Sequence, residues 1–141
     1  MLARRELSEA QVRQRLARRR YSAETIDAAI SRLLAQRAID DARVAEAIAR
    51  TQISSKKRGE RRAERHIVQA GISRDTAHRV AREIAQSVGA DALIEASLAK
   101  RLRGRERIAD DKEFRRLYRY LAGQGFDADE ILRVLKTKSK D

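Results

Sequence analysis

Arg61, Arg62 and Arg65 recur 54 residues later as Arg115, Arg116 and Arg119, so two segments of one chain carry the same three cations in the same order. A guanidinium presents five N–H donors in a planar fork that fits a phosphate or a carboxylate, and it stays charged at physiological pH. The chemistry on offer is polyanion binding. Arg61 and Arg62 fall in a first helical turn, where a positive charge opposes the helix dipole by roughly 0.3 to 1 kcal/mol. Folding gains little from them there, which points to a use at the surface. Lys56, Lys57 and Arg58 lie just upstream, and Arg18, Arg19 and Arg20 stand at the end of an earlier helix. Cations at those places also help folding, because they meet the free carbonyls of the helix they close. Together the four sets form a candidate basic face for a partner or for DNA.

The remaining reactive residues form no catalytic set. His66 and His78 fall on different helices, with no carboxylates at metal-ligand spacing. The doublets Asp40/Asp41 and Asp110/Asp111 could suggest paired carboxylates, but both precede helices, where a negative residue satisfies free amides. The serines lack a G-x-S-x-G elbow, and the glycines fit neither a dinucleotide nor a P-loop motif. With no cysteine, thiol nucleophiles, disulfides and Cys-based zinc sites are excluded. The expectation is a protein that is not an enzyme, with no catalytic residue, metal or cofactor.

The whole chain shares the basic character of the triplets. Its 33 Lys and Arg against 21 Asp and Glu give a net charge of +12, spread along the length. Such a surplus attracts polyanions. No run of about eighteen apolar residues occurs, and the N-terminus has no apolar signal core, so a cytoplasmic, membrane-free protein is expected.

The elements that must position these cations read as helices throughout. Proline and tryptophan are absent, aromatics make up 4%, and the apolar 42% is largely Ala, Ile, Leu and Val, which pack helix on helix. One phrase is written three times: Leu16–Ser22 (LARRRYS), Ile67–Ser73 (IVQAGIS) and Leu121–Asp127 (LAGQGFD). Each ends one helix, turns, and starts another at a capping residue, namely Ser22, Ser73 or Asp127. Gly71 and Gly125 occupy the turn slot that wants left-handed backbone; the first copy has Arg20 there, which is costlier or implies a different turn. Ser8 with Gln11, Asp110 with Glu113, and Asp127 with Glu130 read as capping boxes, and Leu7 can staple onto Val12. Tyr21 and Phe126 are expected in the core. A period near fifty residues predicts an all-α fold of tandem three-helix units forming an elongated, curved array. The units are 1–38, with its first helix reduced to a stub at MLARREL, then 39–90 and 91–141.

The stretches LARRELS (Leu2–Ser8), IDDARVAEA (Ile39–Ala47), GERRAERHIVQAGIS (Gly59–Ser73) and YLAGQGFDADEI (Tyr120–Ile131) resemble the bacterial regulatory protein RecX family. The chain departs from the family pattern at Val44, where an aromatic is usual, at Glu60, where Pro is usual, and at Ala70, often basic. The resemblance implies tandem three-helix units, the RecA recombinase filament on DNA as partner, and inhibition of RecA's ATPase, strand exchange and coprotease activities in recombinational repair and the SOS response. Single- or double-stranded DNA is a further, non-specific partner, and a monomer is the expected state. From the residues alone, two other readings stay open: a sequence-independent DNA-binding module acting without RecA, and a scaffold whose basic face meets an acidic protein.

Overall fold

A computed structural model describes residues 6–139, and the described chain is helical with no strand beyond one isolated bridge between Ile108 and Ser139. The helices are α1 (Glu9–Arg18), α2 (Ala23–Ala35), α3 (Asp41–Ala49), α4 (Glu60–Gln69), α5 (Arg74–Val88), α6 (Ala90–Leu102), α7 (Asp111–Gly123) and α8 (Ala128–Lys138). A π turn, Arg50–Ser55, continues α3. Helices α3, α4 and α5 pack on one another, as do α6, α7 and α8, while α1 pairs with α2. That is the tandem arrangement the period predicts, with two described helices in the first unit. The expected stub helix lies mostly outside the described residues, and Glu6 and Leu7 are not helical.

Local chemistry explains most of the boundaries. The hydroxyls of Ser22 and Ser73 accept from the amides of Thr25 and Thr76, and Ser8 with Gln11 closes a complete capping box. Two other expected boxes are incomplete. Asp110 accepts from the Glu113 amide, but the Glu113 carboxylate returns to the amide of Ala109 instead of its own cap. The Asp127 side chain makes no cap bond; its carboxylate is taken by Arg61 of α4 at 2.8 Å. An ion pair between units has outcompeted the local cap.

The apolar positions feed two cores. A large one runs without a break through α3 to α8, with Ile53, Ile67, Ile94, Leu98, Leu121, Ile131 and Leu135 almost fully buried. A small one, built on Ile26, Ile30 and Ile39, belongs to α1 and α2. Accessible surface totals 9911 Å², against about 7,400 Å² for a compact monomer of 16.1 kDa. The excess is that of an elongated chain of units. Phe126 is buried as expected, but Tyr21, its counterpart in the first copy, is 50% exposed. Ile72 and Phe126 join the large core, and the described part of the first unit has no third helix to enclose Tyr21.

The units meet at a repeated joint. The turn glycine of one unit sits against the start of the middle helix of the unit before it. A Cβ on Gly71 would stand 2.5 Å from that of Ala10, and one on Gly125 would stand 2.5 Å from the Cβ and amide nitrogen of Arg62. Backbone bonds seal the second joint: the Gly59 amide donates to Gln124 O at 2.8 Å and the Arg61 amide to Gly125 O at 3.1 Å. At the first joint the buried Ser8 hydroxyl donates to Ala70 O, and Asp41 accepts from the Glu9 amide at 2.9 Å. Arg20, with φ 64, adopts the same left-handed turn as the glycines, so the first copy is not a different turn. It bears the intrinsic strain of a side chain in that region.

Candidate functional site

The cationic residues are set in place by the π turn and by α4. The turn widens the end of α3, the Lys56 amide reaches Thr51 O at 3.0 Å, and Lys57 goes left-handed at φ 57. Arg58 then leads into Gly59, the cap of α4. On α4, Ala63 and Ile67 are fully buried while Arg61 and Arg65 are exposed, as the helical spacing requires. Arg62 is half-buried between them.

Electrostatics group these side chains more tightly than spacing does. Burial, then repulsion from Arg58 and Arg65, pushes the Arg62 guanidinium below its ordinary value. His66, one turn further along α4, is held below 6.5 by burial and then by Arg62, Arg58, Lys56 and Arg65. Five basic groups therefore share one field, and no carboxylate contributes to holding either Arg62 or His66 protonated. The fold disfavours the charged forms of Arg62 and His66 instead of using them, a signature of residues kept for a site. Tyr120 of α7 stands near Arg62, and the guanidinium of Arg101 from α6 stacks 3.8 Å above its ring, so the positive face continues across the joint.

The α4 triplet does not act as one set. Arg61 turns to the other edge of α4, where its pair with Asp127 borders a cleft of about 400 Å³ lined also by Glu60, Glu64, His78 and Glu130. That edge is acidic: burial and the neighbouring Asp127 raise Glu130. In the α7 triplet Arg116 lies 3.4 Å from Glu113, while Arg115 and Arg119 are exposed and make no ion pair among the described residues. Glu113 itself is drawn down to about 2 by Arg105 and the Ala109 amide. Lys56, Lys57, Arg18, Arg19 and Arg20 are exposed and likewise unpaired among the described residues. Two members of the face, His66 and Arg101, are absent from the candidates that the sequence points to. The spacing 62, 65, 66 along one side of α4, just after Arg58, is a signal for the first. For Arg101 the chain carries none, because a stacking partner nineteen residues away is a tertiary fact.

Among the described residues no group of His, Asp or Glu is placed to hold a metal, and no helix is long and apolar enough to cross a membrane. A shallow cavity of about 690 Å³ between the first two units is lined by Glu6, Gln52, Lys56, His66 and the α3 side chains Val44 and Ile48.

Residues 1–33 match the family model for the first three-helix domain of RecX, and residues 91–135 match the model for its third three-helix domain, together more than half of the chain. The fold is similar to the crystal structure of RecX from Lactobacillus salivarius, with a TM-score of 0.76 and 19% identity over 93% of this chain and 84% of that one. A crystal structure of regulatory protein RecX is similar at TM-score 0.73 and 18% identity, over 93% of this chain and 64% of that one. Among curated proteins there is no match.

Proposed function

The chain belongs to the RecX family of RecA-associated regulators, and on that premise we propose that it binds the RecA–DNA filament through the α4 face and inhibits RecA. The observation that carries this is the uncompensated group Lys56, Arg58, Arg62 and Arg65, continued by Arg101. A mutually repelling set of guanidinium groups, one of them half-buried, lowers folding stability, and an anionic partner that enters it relieves the repulsion. Arg115, Arg119 and the Arg18–Arg20 cluster supply further cations along an elongated molecule. The filament is a periodic polyanion lined by protein, and units at 1–38, 39–90 and 91–141 lie along it as successive contacts. Seated there, the chain bridges neighbouring protomers or caps a growing end, which suppresses ATP turnover and strand exchange without any chemistry of its own.

The test compares two charge reversals for suppression of RecA ATPase on single-stranded DNA. Arg58→Glu/Arg62→Glu/Arg65→Glu is expected to abolish suppression, whereas Arg61→Glu, which alters the acidic edge, retains most of it. Full suppression by the triple variant with its helicity intact refutes the proposal. Affinity for naked DNA equal to that for the coated filament would instead favour a DNA-binding module acting without RecA; its log affinity would fall against log salt by about 0.7 per neutralised phosphate.

A further inference from the structure

Gln52 is a polar side chain where the helical register calls for an apolar one. Ala45, Ala49 and Ile53 fill that side of α3 and its π turn, and Gln52 beside them is only 5% exposed. A buried carboxamide lowers stability unless its polar atoms are paired. Its oxygen accepts from Arg58 Nη1 at 3.2 Å, and the Gln52 carbonyl accepts from the Arg58 amide at 2.9 Å. One residue thus clasps both the backbone and the guanidinium of Arg58.

The π turn is what makes the clasp possible. Widening the last turn of α3, followed by left-handed Lys57, folds the chain back so that residue 58 returns opposite residue 52. Ser97 of α6 secures the same loop by donating to Lys57 O at 3.5 Å. A π segment is an uncommon form that is frequent at functional sites. Here it delivers one guanidinium to one place.

Arg58 needs holding because its neighbours push it away. Arg62 repels it, Lys56 and Arg65 add to the same positive field, and a free side chain would swing into water. No second side-chain bond of Arg58 forms among the described residues, so its remaining N–H donors stay available to an anion. Fixing the fork in advance removes an ordering cost from binding.

We infer that Gln52 is a positioning residue of the cationic face: through its carboxamide it orients Arg58 toward the anionic groups of the partner, without touching the partner itself. The inference rests on the α4 face being the binding surface. The experiment uses the full chain and a fluorescent single-stranded oligonucleotide coated with RecA, with anisotropy read over a salt series. Gln52→Leu is expected to weaken binding about 3- to 10-fold, the net worth of one ordinary hydrogen bond, since the partner's own contacts remain. In a double-mutant cycle, Gln52→Leu combined with Arg58→Ala is expected to bind within about two-fold of Arg58→Ala alone, since the first acts through the second.

Unchanged binding by Gln52→Leu overturns the inference, as does a loss that adds in full to that of Arg58→Ala. Gln52→Met, a second near-isostere, guards against a folding artefact: if Gln52→Leu loses helicity and Gln52→Met folds and binds normally, the role is only structural. Should Arg58→Ala/Arg62→Ala/Arg65→Ala bind as well as the parent chain, the face itself is not the binding surface, an outcome distinct from failure of the clasp alone.

Discussion

Replacing Gly59 with alanine tests the joint between units, because local and tertiary reasoning give opposite signs. Gly59 has φ −83, a value any residue adopts, so relieving chain entropy by Gly→Ala would stabilise by about 0.4 to 1 kcal/mol if nothing else mattered. Alanine is a poorer N-cap than glycine, which trims that gain. Packing at the joint opposes what remains of it, and more strongly. The new methyl would lie 2.3 Å from both C and O of Gly125 and 2.5 Å from the Phe126 amide nitrogen. These are backbone atoms and cannot swing aside, so the joint must open. Opening weakens the Gly59–Gln124 and Arg61–Gly125 hydrogen bonds, about 1 kcal/mol each, and loosens the packing of Phe126. The net expectation is a loss of about 2 to 3 kcal/mol, or on the order of 10 °C in melting temperature for a chain of this size. Thermal and urea unfolding followed by circular dichroism would measure it. Gly123→Ala is the control: no atom lies within 4 Å of its added Cβ, it is helical, and it should stabilise by about 0.5 to 1 kcal/mol. A Gly59→Ala protein as stable as its parent would refute the joint as described.

Other expectations concern charge and the two cores. Glu113, held at about 2, contributes stability that is complete above the ordinary carboxylate value of 4.5 and disappears as pH falls through the folded value. Melting temperature should therefore drop more steeply between pH 4.5 and 2 in the parent chain than in Glu113→Gln. Arg58→Glu/Arg62→Glu/Arg65→Glu should raise the titration midpoint of His66, because cations now depress it; a histidine NMR titration reads this, and an unmoved midpoint would show that the five groups do not share a field. Ile30→Ala, deep in the small core, should cost about 2 to 4 kcal/mol confined to α1 and α2. Hydrogen exchange would then accelerate there while α4 and α5 stay protected, and uniform acceleration would contradict separate cores.

The helices were legible in the chain because their causes are local. Apolar residues at steps of three and four, serines at the caps and glycines past the ends act within a few residues, so α1 to α8 and the repeated turn follow from the letters. The same local physics made the two arginine triplets visible as cations pointing away from a core. It could not say which of them are free. Asp127 looked like a cap and is an ion-pair partner of Arg61, because only the packed joint brings α4 to the start of α8. Tyr21 looked like core and is half exposed, because burial is decided by which neighbours surround a side chain and not by its type. The sequence by itself determined the helical repeat, the absence of catalytic motifs and the surplus of positive charge. Tertiary structure alone decided that Arg58, Arg62 and Arg65 share one field, that Arg101 stacks on Tyr120 beside Arg62, and that Arg61 faces an acidic cleft, since charges interact through space over a few ångströms whatever their separation along the chain.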